Sequence, residues 1–107
     1  MTDAGPLRHR IRIETPTETR DATGGVTLVW TEKARRWASI RPLNGVELIQ
    51  ARAVHADVTH RVLIRHLPGM TPKDRIVFGS RVFDVQSAVD PVGVGELHDV
   101  LATERIL

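Results

Sequence analysis

Five histidines, His9, His55, His60, His66 and His98, are the first side chains in this sequence that could do chemistry. A metal centre needs three or four ligands converging on one point. His60 and His66 lie six positions apart in a segment that alternates like a strand, roughly 20 Å at strand rise, so they cannot share an ion. His9, His55 and His98 show no ligand spacing; carboxylate pairing or a place at a sheet rim accounts for them. Ser39, Ser80 and Ser87 stand in no Gly-x-Ser-x-Gly elbow. Gly93-Val94-Gly95 lacks the third glycine and the following helix of a phosphate cradle. Asp84, Asp90 and Asp99 fall in alternating or turn contexts that need no catalysis. No catalytic, metal or cofactor-binding residues are expected.

The arginines carry more information. Arg8, Arg10 and Arg12 form one stripe on a polar strand face, and Arg61 and Arg65 form another. Such stripes are either solvated faces that keep a sheet from aggregating, or surfaces that meet acidic neighbours or DNA phosphates. Two Trp, two Phe and no Tyr do not make a stacking platform for bases. Trp30 and Trp37 are expected in the core.

These residues need elements to position them. Leu7, His9, Ile11 and Ile13 alternate with Arg8, Arg10, Arg12 and Glu14, the pattern of a half-buried strand. Thr15 to Thr23 is polar, contains Pro16 and reads as a loop, ending in an Asp21–Gly25 turn. Val26 to Ile40 is strand material, either one long strand with a bulge or two strands with a tight break. Pro42 ends it. Asn44 and Glu47 form a candidate capping box, which predicts an amphipathic helix of about three turns over 44–54. Val46, Ile49 and Ala53 share its apolar stripe, and the pattern alone makes the helix a lid on a sheet.

Asp57 to His66 alternates as a strand. Thr71–Asp74 resembles a single capped helical turn. Gly79-Ser80 between Ile76-Val77-Phe78 and Val82–Val85 marks a tight hairpin. Asp90 to Gly95 reads as a flexible connection, and Glu96 to Glu104 as a closing strand. Residues 1–6 lack an apolar pattern and are expected to be a mobile arm before a single domain, 7–107. The class is mainly β: a small antiparallel β-barrel or sandwich with one inserted α-helix.

The 107 residues suffice for one compact core. There is no cysteine, so neither disulfides nor thiolate metal sites are possible. No apolar run approaches the length of a membrane span and no signal-peptide pattern opens the chain, so a soluble protein is expected. Net charge is +2, a weak field despite a pI near 9.9, and far from a dedicated DNA-binding face.

Several short motifs follow one another along the chain: Leu7-Arg8-His9-Arg10-Ile11, Asp21-Ala22-Thr23-Gly24-Gly25, Trp30, Trp37-Ala38-Ser39-Ile40, Gly45-Val46-Glu47-Leu48, Val58–Arg65 and Val77–Val85. In order and spacing they resemble the phage head-closure, or head–tail joining, proteins. The resemblance implies a structural, non-catalytic connector of a tailed phage, prophage or gene transfer particle. Such a protein forms a ring with copies of itself and docks under a portal or adaptor ring. It closes the filled head, touches DNA transiently in the channel, and presents a surface to a tail-terminator or tail-tube protein. It implies a virion location at the head–tail interface, assembly in the host cytoplasm, and no membrane. By the same resemblance Leu43 to Ala56 becomes the ring-contact or channel segment, with Leu43, Asn44, Glu47, Leu48, Arg52 and His55 as its candidate residues. Arg8, Arg10, Arg12, Arg61 and Arg65 are the candidate electrostatic contacts. The alternative is a small nucleic-acid-binding β-barrel.

Overall fold

The computed structural model describes residues 8–65, 67–89 and 97–105. The expected arm over 1–6 and the connection over Asp90–Gly95 lie outside them. Strand β1 is His9–Arg20, β2 Val26–Pro42, β3 His60–Arg65, β4 Arg75–Phe78, β5 Arg81–Val89 and β6 Leu97–Glu104; helix α1 is Gly45–Arg52. The strands close into one antiparallel barrel in the order β1-β2-β3-β6-β5-β4.

Alternation fills its interior. Ile11 and Ile13 of β1, Ala38 of β2, Val62 and Ile64 of β3, Ile76 of β4, Phe83 and Val85 of β5, and Val100 and Ala102 of β6 form one buried cluster. Each large side chain enclosed this way contributes about 1.5–3 kcal/mol. With so few aromatics, β-branched residues supply most of the packing, and they suit a pleated wall. The hairpin at Gly79-Ser80 is present: Phe78 pairs with Arg81, and Gly79 takes φ +60°, a conformation glycine adopts without strain.

The predicted loop over Thr15–Thr23 is instead mostly strand. β1 runs on to Arg20, and Thr15, Pro16, Thr17 and Glu18 pair with Thr31, Trp30, Val29 and Leu28. Pro16 is tolerated because β4 covers only Arg12–Glu14, so β1 has an open side beyond that point. β2 is one long strand with a bulge: Ile13 pairs with Ala34 and Glu14 with Glu32, leaving Lys33 as the extra residue. Past the bulge, β1 and β2 form a two-stranded ribbon that leaves the barrel. It contributes to a molecule of 52 × 27 × 26 Å.

The ribbon turns at Asp21–Gly25, as expected. Asp21 Oδ1 accepts from the Thr23 and Gly25 amides and the Thr23 hydroxyl, at 3.0, 2.7 and 2.8 Å. These bonds, the Thr23 side chain first, hold the Asp21 carboxyl below its ordinary value. A side chain at Gly25 would begin 2.7 Å from Asp21 Oδ2.

Further expectations need correction. The helix is two turns long and Asn44 makes no side-chain cap bond; the Glu47 carboxylate, expected to reach back to Asn44, is held by Arg41 and Arg61 instead. It is no lid: none of its residues is buried, and Val46 and Ile49 are 68% and 71% exposed. Trp37 is 51% exposed, since the inward position belongs to its neighbour Ala38. Trp30 lies half-buried at the ribbon, outside the core cluster, with the Arg75 guanidinium 4.1 Å from its ring centre. Residues 71–74 form a turn, closed by Thr71 and Asp74, rather than a helical turn.

Candidate functional site

Helix α1 is held to the barrel by charge. Glu47 accepts two bonds from Arg41, at 2.6 and 2.9 Å, and one from Arg61 at 2.7 Å. Arg61 also reaches Asp99 on β6 at 2.8 Å. Arg41 and Arg61 are partners in register on β2 and β3, so the sheet itself fixes the two guanidinium groups side by side. The Arg41 bond is the main reason that the Glu47 carboxyl sits below its ordinary value; Arg61 adds to this and desolvation opposes it.

The predicted segment residues differ in exposure. Leu43 is buried and anchors the start of the segment, its amide bonded to Thr59 O at 3.0 Å. Leu48 and His55 are half-buried. Asn44 and Arg52 are exposed, and Arg52 Nε donates to Val58 O at 3.2 Å. An open cleft of about 490 Å³ separates the helix from the barrel wall, lined by residues that include Leu43, Val54, His55, Arg61 and Leu101.

The predicted arginine stripes meet on one face. Arg10 pairs with Trp37 in register, and Ala38 with Ile64, which sets Trp37 alongside Arg65. The Arg10 guanidinium lies 5.6 Å from the Trp37 ring centre, within cation–π range. Strand parity puts Arg35 and Arg41 on the same outward side of β2 as Trp37. Most charges on this face are already answered. Arg12 lies 3.6 Å from Glu14 and 3.9 Å from Glu32, Arg35 lies 3.0 Å from Glu32, and Arg41 and Arg61 hold Glu47. Arg8, Arg10 and Arg65 meet no carboxylate among the described residues, and all three are exposed. Sequence patterning flagged these three but not the exposed ring between them. The signal was present: Trp37 shares parity with Arg35 and Arg41, not with Ala38 and Ile40.

Among the described residues, no group of three or more His, Asp or Glu side chains could hold a metal ion, and no helix is long and apolar enough to cross a membrane. What the geometry offers is recognition: a charge-clamped helix, a basic face around an exposed indole, and a protruding ribbon.

A family model of the phage head completion proteins matches residues 2–105, and the chain belongs to that family. It is a phage head-related structural protein, and the family is not typically enzymatic. Among solved structures, it is similar to protein SF1141 from Shigella flexneri 2a, solved in solution. The two are 27% identical, with 96% of each chain covered and a TM-score of 0.77. It shares its fold with a chain of the virion of a native gene transfer agent particle, at 21% identity, a TM-score of 0.65 and 94% and 96% coverage. No curated protein matches the chain.

Proposed function

We propose that this protein is a head–tail connector. Copies assemble into a ring that closes the filled head, extends the DNA channel and presents the surface on which the tail docks. Membership of the head completion family over nearly the whole chain carries this proposal. The partners are further copies of the chain, a portal or adaptor ring on one side, and a tail-terminator or tail-tube protein on the other. The place of action is the virion, with assembly in the host cytoplasm; the shared fold with a gene transfer agent virion chain supports it. The segment from Leu43 to Ala56 serves as the ring-contact or channel element, because its helix keeps its apolar side toward solvent while Glu47 is fastened to the barrel.

Deletion of the gene in a particle-producing strain tests the proposal. Electron microscopy is expected to show tailless heads that have lost nuclease-protected DNA, and supplying the chain in trans is expected to restore both. Tailed, full particles in the deletion strain would overturn it. A second function, nucleic-acid binding, draws on Arg8, Arg10 and Arg65, which meet no carboxylate among the described residues. Three phosphate contacts would give log affinity a slope of about −2.7 against log salt on duplex DNA. Salt-independent or undetectable binding removes it.

A further inference from the structure

The ribbon has two unlike faces. Register places Pro16, Glu18 and Arg20 of β1 beside Trp30, Leu28 and Val26 of β2 on one of them. Val26 and Leu28 are 55% and 58% exposed. Among the described residues the Arg75 guanidinium lies over Trp30, while Val26 and Leu28, farther out on the arm, stay open because the barrel wall ends at the bulge.

Among the described residues, charges that the fold leaves without an opposite partner include a group on the ribbon and a group around Trp37; Arg36, Arg52, Lys73 and Asp57 lie elsewhere. Of the carboxylates in the described residues, Glu14, Glu32, Glu47, Asp74, Asp84, Asp99 and Glu104 each meet a cation within the molecule. Glu18 does not, and it stands on the ribbon beside Leu28; Asp21, at the ribbon tip, bonds only within its own turn. Asp57, near the helix, is the third without a cation. The barrel's exposed arginines without a carboxylate, Arg8, Arg10 and Arg65, instead surround Trp37. Arg20 is the one cation on the ribbon. Trp and Arg together are the residues that dominate binding energy at protein interfaces.

We infer that the Trp37 face of one copy is the docking surface for the apolar side of the ribbon of a second copy. Leu28 and Val26 cover the indole, and Glu18 meets the arginines around it. Two different patches then join head to tail, the arrangement that closes into rings. A few side chains on each side fall short of the about 800 Å² per partner of a stable interface. Free protein is therefore a monomer or a weak oligomer, and a template completes the ring. The inference gives the connector proposal its subunit contact and rests on it for its setting.

The cysteine-free sequence makes the test direct. Full-length chain carrying Val26→Cys and Ser39→Cys is concentrated to the millimolar range and treated with a short bis-maleimide. A ladder of dimers, trimers and larger species is expected, and monomer from either single variant. In a Trp30→Phe background, which leaves Trp37 as the only indole, emission is expected to shift to shorter wavelength with concentration. Leu28→Asp abolishes the shift, and Glu18→Arg weakens it several-fold unless combined with Arg10→Glu. Circular dichroism checks that each variant keeps its strands. Absence of the ladder, a shift indifferent to Leu28→Asp, or a shift produced by duplex DNA in place of concentration overturns the inference. If the deletion strain loses its DNA while the ladder is absent, the connector proposal survives and this contact falls. Normal particles with a ladder give the reverse.

Discussion

Lys33 Nζ sits 2.8 Å from Asp74 Oδ2, joining the bulge of β2 to the turn before β4. The same ammonium donates to Gly69 O, and the Thr71 amide donates to Asp74 Oδ2 at 3.0 Å. The Asp74 side chain is fully enclosed, and its Oδ1 has no hydrogen-bond partner among the described residues. The extra residue that starts the ribbon is thus also the residue that fastens its base.

Removing one partner of a buried pair strands the other charge, at about 3–5 kcal/mol. Lys33→Met is therefore expected to lower the urea midpoint sharply. Replacing Asp74 with Leu in the same chain is expected to recover part of the loss. A Lys33→Met chain as stable as the parent would show that the contact is incidental.

Acid acts in two steps. Burial is the main force holding the His60 imidazole below its ordinary value of 6.5, with Arg81 adding and Glu104 opposing. The unfolded chain therefore binds this proton first, and the stability from neutral His60 is lost as pH falls below about 6.5. Glu104, lowered chiefly by its bond to Arg81, holds its contribution above 4.5 and loses it as pH falls through its depressed value. Urea midpoints against pH are expected to decline from about 6.5 and again below about 4.5. His60→Gln removes the first decline and leaves the second.

Much of the barrel was legible, because β3, the β4–β5 hairpin, β6 and the first half of β1 all alternate inward and outward residues. The ribbon was not. Thr15–Arg20 has no buried face to impose alternation, and Pro16 argues for a loop until β1 is seen to have lost its second neighbour there. The helix was recognised through Asn44 and Glu47, yet the capping role assigned to Glu47 was wrong. Arg41 and Arg61, one before the helix and one fourteen positions beyond Glu47, outcompete a local bond once the sheet brings them together. The arginine stripes could be read strand by strand, but that they flank Trp37 depends on strand order, which no local pattern contains.

Glu47→Gln is expected to release α1 without unfolding the barrel. The ion pairs are exposed and the helix buries no residue, so global stability barely changes. Hydrogen exchange at amides 45–55 is expected to quicken several-fold, while β3 and β6 stay protected. Slowed or unchanged exchange there would show that something other than charge holds the helix.

Gly79→Ala tests the tight turn. Among the described residues, apart from its chain neighbours, nothing stands within 4 Å of the added methyl group, so the cost comes from the backbone at φ +60°. A loss of about 1 kcal/mol is expected in denaturant unfolding. No loss would mean that the turn relaxes at this position.

Closure of the barrel has a consequence for solubility. Open strand rims invite copies of a chain to stack into fibrils. Among the described residues the longest such rims run along β1 past Glu14 and along β2 before Ala38, with shorter ones on β1 before Arg12 and on β5 beyond Asp84. Glu18, Arg20, Glu32, Arg35 and Arg36 punctuate those stretches. The arm can offer an adhesive side while its backbone stays a poor template for runaway growth.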